Sequence, residues 1–87
     1  MALETGEYLS ESMADYITFW TTIKDLEKIS KNHGYSVEMA RKLAKGERAI
    51  TESNKPLVLE IIQVSILNRN KRSKTLNQAH KKAVKFI

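Results

Sequence analysis

Leu26-Glu27-Lys28-Ile29-Ser30-Lys31-Asn32-His33-Gly34-Tyr35-Ser36-Val37-Glu38-Met39-Ala40-Arg41-Lys42-Leu43-Ala44-Lys45-Gly46 is the stretch that decides the fold. Ile23, Leu26 and Ile29 recur at three-residue steps, the apolar stripe of a helix that Asn32-His33-Gly34 brings to an end. Glycine takes up the positive φ that closes a helix without steric cost, so Gly34 is placed to turn the chain. Ser36 then reads as an N-cap, and Glu38 lies in the first turn, where a carboxylate complements the helix dipole. The helix it starts, Val37 to Lys45, ends at Gly46. Ala40, Leu43 and Ala44 form its apolar face, and Arg41, Lys42 and Lys45 project from the other side.

The same spacing extends in both directions. Upstream, Tyr8, Leu9, Met13, Tyr16, Ile17 and Trp20 line one face of a first helix, broken at the β-branched pair Thr21-Thr22. Downstream, Glu47 to Asn54 is polar apart from Ala49 and Ile50. A cap at Ser53 or Asn54 puts Pro56 in the first turn of a fourth helix, where its missing N–H is harmless. That helix, about Lys55 to Asn68, is apolar over most of its circumference, which calls for a central position or a partner subunit. Arg69-Asn70-Lys71-Arg72-Ser73-Lys74 reads as a basic linker. Leu76, Ala79, His80, Ala83, Val84 and Ile87, with Lys81, Lys82 and Lys85 opposite, read as a fifth, basic amphipathic helix. The expected fold is all-α, a small bundle of about five helices. It forms one domain over residues 1–87: an acidic N-terminal helix (1–21), a central core (22–68) and a basic linker and helix (69–87).

Composition narrows the function classes. Eighty-seven residues make one lean domain with room for a single small core. The absence of cysteine excludes disulfides, thiolate zinc sites and cysteine nucleophiles. Three glycines and one proline are too few turn signals for a β-sandwich or barrel. The longest apolar run, Leu57 to Leu67, is interrupted by Glu60, Gln63 and Ser65 and is too short for a membrane span. The N-terminus is acidic where a signal peptide would be basic. A soluble, unexported, cytoplasmic protein is expected, nucleoid-associated if prokaryotic. Its net charge of +5 is graded along the chain. Residues 1–20 hold four acids and no base, residues 21–50 seven bases and four acids, and residues 51–87 eight bases and two acids. A clustered basic surface suits an acidic polymer.

The central stretch resembles the helix-turn-helix of lambda-repressor-like and lactose-repressor-like DNA-binding proteins. Ile29, Ser30, Gly34, Tyr35, Ser36, Ala40 and Leu43 stand where that pattern has its apolar, small, glycine, apolar, cap and inward-facing residues. A small residue lets two helices cross closely, glycine turns the corner, and the cap starts a helix whose outer face is free. The likeness continues through Gly46-Glu47-Arg48-Ala49-Ile50-Thr51 and Val58-Leu59-Glu60-Ile61-Ile62, and covers roughly residues 22–64. The chain is also similar to short phage-type regulators in which Gly-Tyr-Ser leads into the recognition helix. It departs in Ala40 and Tyr35, where bulkier aliphatic residues and valine are usual.

The resemblance implies a DNA-binding transcriptional regulator of the phage-repressor type, with the helix over about 36–45 in the major groove. Ser36, Val37, Glu38, Arg41 and Lys42 would contact bases: Arg41 a guanine, Glu38 a cytosine amine, Val37 a thymine methyl. Lys45, Arg48, Arg69, Lys71, Arg72 and Lys74 would contact phosphates. Double-stranded DNA and a second copy of the chain are the expected partners, with no membrane and no small-molecule ligand. His33 and His80 lack further ligands at metal spacing and read as packing residues, as do the aromatics Tyr16, Phe19 and Trp20. No nucleophile, base and orienting group can be assembled, so no enzyme, cofactor or metal site is expected. The alternatives are a helical protein-interaction module acting through the acidic first helix, and RNA binding through the basic end.

Overall fold

A computed structural model describes residues 4–87, and among them every regular element is an α-helix. Four helices follow one another: α1 (Glu11–Trp20), α2 (Ile23–Asn32), α3 (Val37–Ala44) and α4 (Lys55–Val84).

Each of the first three is started by a hydroxyl. Ser10 Oγ accepts from the Met13 amide at 3.2 Å, and Ser36 Oγ from that of Met39 at 3.2 Å. At α2 the cap is reciprocal: Thr22 Oγ1 accepts from the Asp25 amide, and Asp25 Oδ2 from the Thr22 amide. Two helices end alike. The Tyr35 amide donates to Ser30 O and the Gly34 amide to Lys31 O, and at α3 Glu47 and Gly46 donate to Lys42 O and Leu43 O. Both are Schellman closures, and Gly34 and Gly46 occupy their left-handed positions at φ +74°.

The core is built from Ile17 of α1, Leu26 and Ile29 of α2, Ala40, Leu43 and Ala44 of α3, Ile50, and Leu57, Val58 and Ile61 of α4. The 30-residue α4 is about 45 Å long at the ordinary helical rise, close to the molecule's longest extent of 53 Å. Only its first half is packed. Asn68 is the last half-buried residue, its Nδ2 donating to Trp20 O at 2.8 Å and to Asp25 Oδ2 at 3.2 Å; every residue beyond it is exposed.

Two sequence expectations are corrected here. Residues 69–74 are not a linker, and the described residues form four helices rather than five, because α4 runs unbroken to Val84. From Leu57 to Val84 no glycine or proline interrupts it, arginine and lysine are good helix formers, and Lys81 and Lys82 in the last turn favour its dipole. Tyr8 and Leu9 do not belong to α1. The chain before Ser10 is instead tied to the loop ahead of α4, the Gly6 amide donating to Ile50 O and the Ile50 amide to Glu7 O. Any continuation of the acidic helix to residues 1–3 lies outside the described residues.

Candidate nucleic-acid interface

The α2–α3 pair is joined by the turn His33–Ser36, and Ser30 sits beneath it at 2% exposure, its hydroxyl donating to Glu27 O. A larger residue there would push the helices apart. His33 Nε2 and Glu60 Oε1 lie 3.1 Å apart, which ties the turn to α4. His33 thus has a polar partner in addition to its half-buried position. With α2 and α4 behind it, α3 buries Ala40, Leu43 and Ala44 and turns its other side outward.

Four of the sequence-expected base-contact residues fall on that one short helix and Ser36 is its N-cap, but they are not equivalent. Ser36, Glu38, Arg41 and Lys42 are exposed. Ser36 Oγ is already engaged as the cap. Val37 is half-buried and packs against the core, so only part of its side chain faces outward. On a helical projection Glu38, Lys42 and Lys45 lie opposite the buried row, with Arg41 at one flank. Arg41 Nη1 is 3.8 Å from Glu38 Oε2, an exposed pair of the kind that is easily exchanged for another partner.

The residues expected at phosphates are dispersed. Lys45 ends α3 beside Arg41. Arg48 is exposed in the following loop, in a depression shared with Tyr35 and Met39 near the start of α3. Arg69, Lys71, Arg72 and Lys74 stand on the protruding half of α4 and point in different directions. Arg72 lines a depression with Trp20, Thr21 and Thr22, whereas Lys74 lines another with Lys81, farther along the helix.

Sequence spacing alone misses one feature of this surface. Arg41 and Lys45 border an open groove of about 230 Å³ whose far wall is the α1–α2 corner, with Thr18, Thr21 and Thr22. Thr21 and Thr22 also border the depression that holds Arg72. The corner therefore brings three cations, one from α4 and two from α3, around two threonines. Thr21 Oγ1 donates to Ile17 O, and Thr22 caps α2. The Thr22-x-x-Asp25 capping signature is the available signal that this corner starts a helix at the surface. His80 also differs from expectation: it is exposed rather than packed.

Among the described residues no cluster of His, Asp or Glu is arranged to hold a metal ion, and no helix is long and apolar enough to cross a membrane. Compared with protein-family models, curated proteins and solved structures, the chain matches none.

Proposed function

We propose that the chain is a sequence-specific DNA-binding regulator in which α3 enters the major groove. The observation that supports this most directly is the contrast between the two sides of α3. One side is sealed onto α2 and α4 through Ala40, Leu43 and Ala44, and the other presents Arg41, Lys42 and Lys45 with a single acid, Glu38. A helix held rigidly by its neighbours and offering cations and hydrogen-bonding groups outward is the form in which base edges are read.

Lys42 lies at the centre of the outward face, and Arg41 reads a guanine from the flank nearer the α1–α2 corner. Lys45 and Arg72, with the Thr21–Thr22 corner between them, lie along the path of a phosphate backbone. These contacts orient the protein without reading sequence. Lys71 and Lys74 add attraction that does not depend on sequence. The chain acts in the cell interior, as a dimer on paired half-sites.

Selection of bound duplexes from a random pool, followed by salt titration on the winner, tests the reading. An enriched motif with steep salt dependence supports it. Uniform weak binding, or no binding, rejects it in favour of a helical module that engages another protein.

A further inference from the structure

Beyond Asn68, α4 leaves the core, and an apolar row that begins on its packed half continues there with Leu76 and Ala83. Leu59, Ile62, Ile66, Leu76 and Ala83 lie on one seam of the helix, and Arg69, Ser73 and His80 complete the alternating three- and four-residue steps between them. Leu59, Ile66 and Leu76 are 42%, 44% and 51% exposed. Trp20 of α1 borders the seam beside Arg69, Ser73 and Leu76. The cations Lys71, Lys74, Lys82 and Lys85 occupy the other side of the helix, and of the basic residues beyond Asn68 only Arg69 lies on the seam itself.

The steps read the same from either end about Lys71. A two-fold axis there, with two copies of α4 antiparallel, would set Leu59 against Ala83, Ile62 against His80, Ile66 against Leu76 and Arg69 against Ser73. At its two ends and next to the axis, a large side chain meets a small one. A parallel pair would set Arg69 against Arg69 and Ala83 against Ala83. Charge points the same way. Residues 69–87 hold seven bases and no acid, a balance of +7, and residues 1–68 hold eight bases and ten acids, a balance of −2. Parallel pairing lays +7 along +7, whereas antiparallel pairing lays each basic end along residues 55–68 of the other copy, where Lys55 and Glu60 balance.

We infer that the seam of α4 is the contact for a second copy of this chain, held antiparallel about Lys71. The inference goes beyond the DNA reading and does not rest on it, because the contact forms without nucleic acid.

The chain has no cysteine, so introduced thiols report the register directly. Arg69→Cys and Ser73→Cys variants are oxidised mildly, separately and mixed, in the absence of DNA. Both positions are exposed, so the fold survives the changes. The mixture is expected to give covalent dimer about tenfold above either variant alone, because only unlike thiols come within disulfide reach. Leu76→Lys, placed in the same mixture, abolishes that excess without unfolding the body, since Leu76 lies beyond the packed half of α4. Equal cross-linking of Ser73→Cys with itself would replace the antiparallel arrangement with a parallel one. Monomeric sedimentation of the unmodified chain at every concentration tested, with no cross-linking, would overturn the inference altogether.

Discussion

The two halves of α4 have similar helical propensity and opposite circumstances. Residues 55–68 are held by three other helices and bury Leu57, Val58, Ile61 and Ser65 almost completely. Residues 69–84 are helical with every side chain exposed. The first half is helical because its neighbours need its apolar faces. The second half is helical because nothing in its sequence stops it and an existing helix spares it the nucleation cost. A residue's helical state therefore says little about how much it contributes to stability, and substitutions should separate the halves sharply.

The widest separation is expected between Ile61→Ala and Leu76→Ala. Ile61 is 1% exposed at the centre of the core, and its truncation should cost about 2–5 kcal/mol. Leu76→Ala, at a protein concentration low enough to keep the chain monomeric, should change stability by less than about 0.5 kcal/mol. Urea unfolding of both variants measures the difference. Equal losses would mean that the second half of α4 is packed against the body.

The two helix-closing glycines give a second, smaller contrast. Both adopt φ +74°, so any side chain is strained at either. At Gly34 a Cβ would meet open space, so only the backbone conformation opposes a side chain there. At Gly46 it would lie 2.5 Å from the backbone oxygen of Leu9, which belongs to the segment tied to Ile50. Gly34→Ala is expected to cost about 1–2 kcal/mol from conformation alone. Gly46→Ala should cost about 2–4 kcal/mol, because strain is joined by a clash with backbone. Thermal melting ranks the two. The reverse order would place the N-terminal segment elsewhere.

These contrasts also show what can be read from the residues alone. The limits of α2 and α3, their caps, the break at Thr21-Thr22 and the place of Pro56 are all legible. Each depends on neighbours within four or five positions, and serine, threonine, glycine and proline mark such local events by type. The continuity of α4 is hidden because a run of cations resembles a solvated linker, although charge does not terminate a helix. The N-terminal segment looks like part of α1 because its partner, Ile50, is distant in the chain and is engaged through backbone groups, which leave no side-chain pattern. For the candidate interface, the exposed residues of α3 are legible from periodicity. The groove between Arg41, Lys45 and the α1–α2 corner is not, since it depends on how α1 packs.

Arg41→Ala tests whether the body, and not the exposed half of α4, carries base readout. It should weaken binding to the selected duplex by about 1–3 kcal/mol and relax one base position. The test is competition between the selected and random duplexes. An equal loss on both would make Arg41 a phosphate contact, consistent with its place at the flank of α3 beside the threonine corner.

The smallest expected effect belongs to the basic row of α4. Lys71→Gln with Lys74→Gln removes two exposed cations and leaves the apolar seam intact, so stability should stay within about 0.5 kcal/mol of the parent. Each phosphate that the variant no longer neutralises should lower the magnitude of the log–log salt slope by about 0.9. The order of preference among DNA sequences should be unchanged, because these lysines stand on the protruding half of α4 and not on α3. Binding isotherms at several salt concentrations, on the selected and on a random duplex, measure both quantities. An unchanged slope would make the row a solvated face. A changed order of preference would mean that the protruding helix helps to choose the site, and the division between a reading body and an attracting extension would no longer hold.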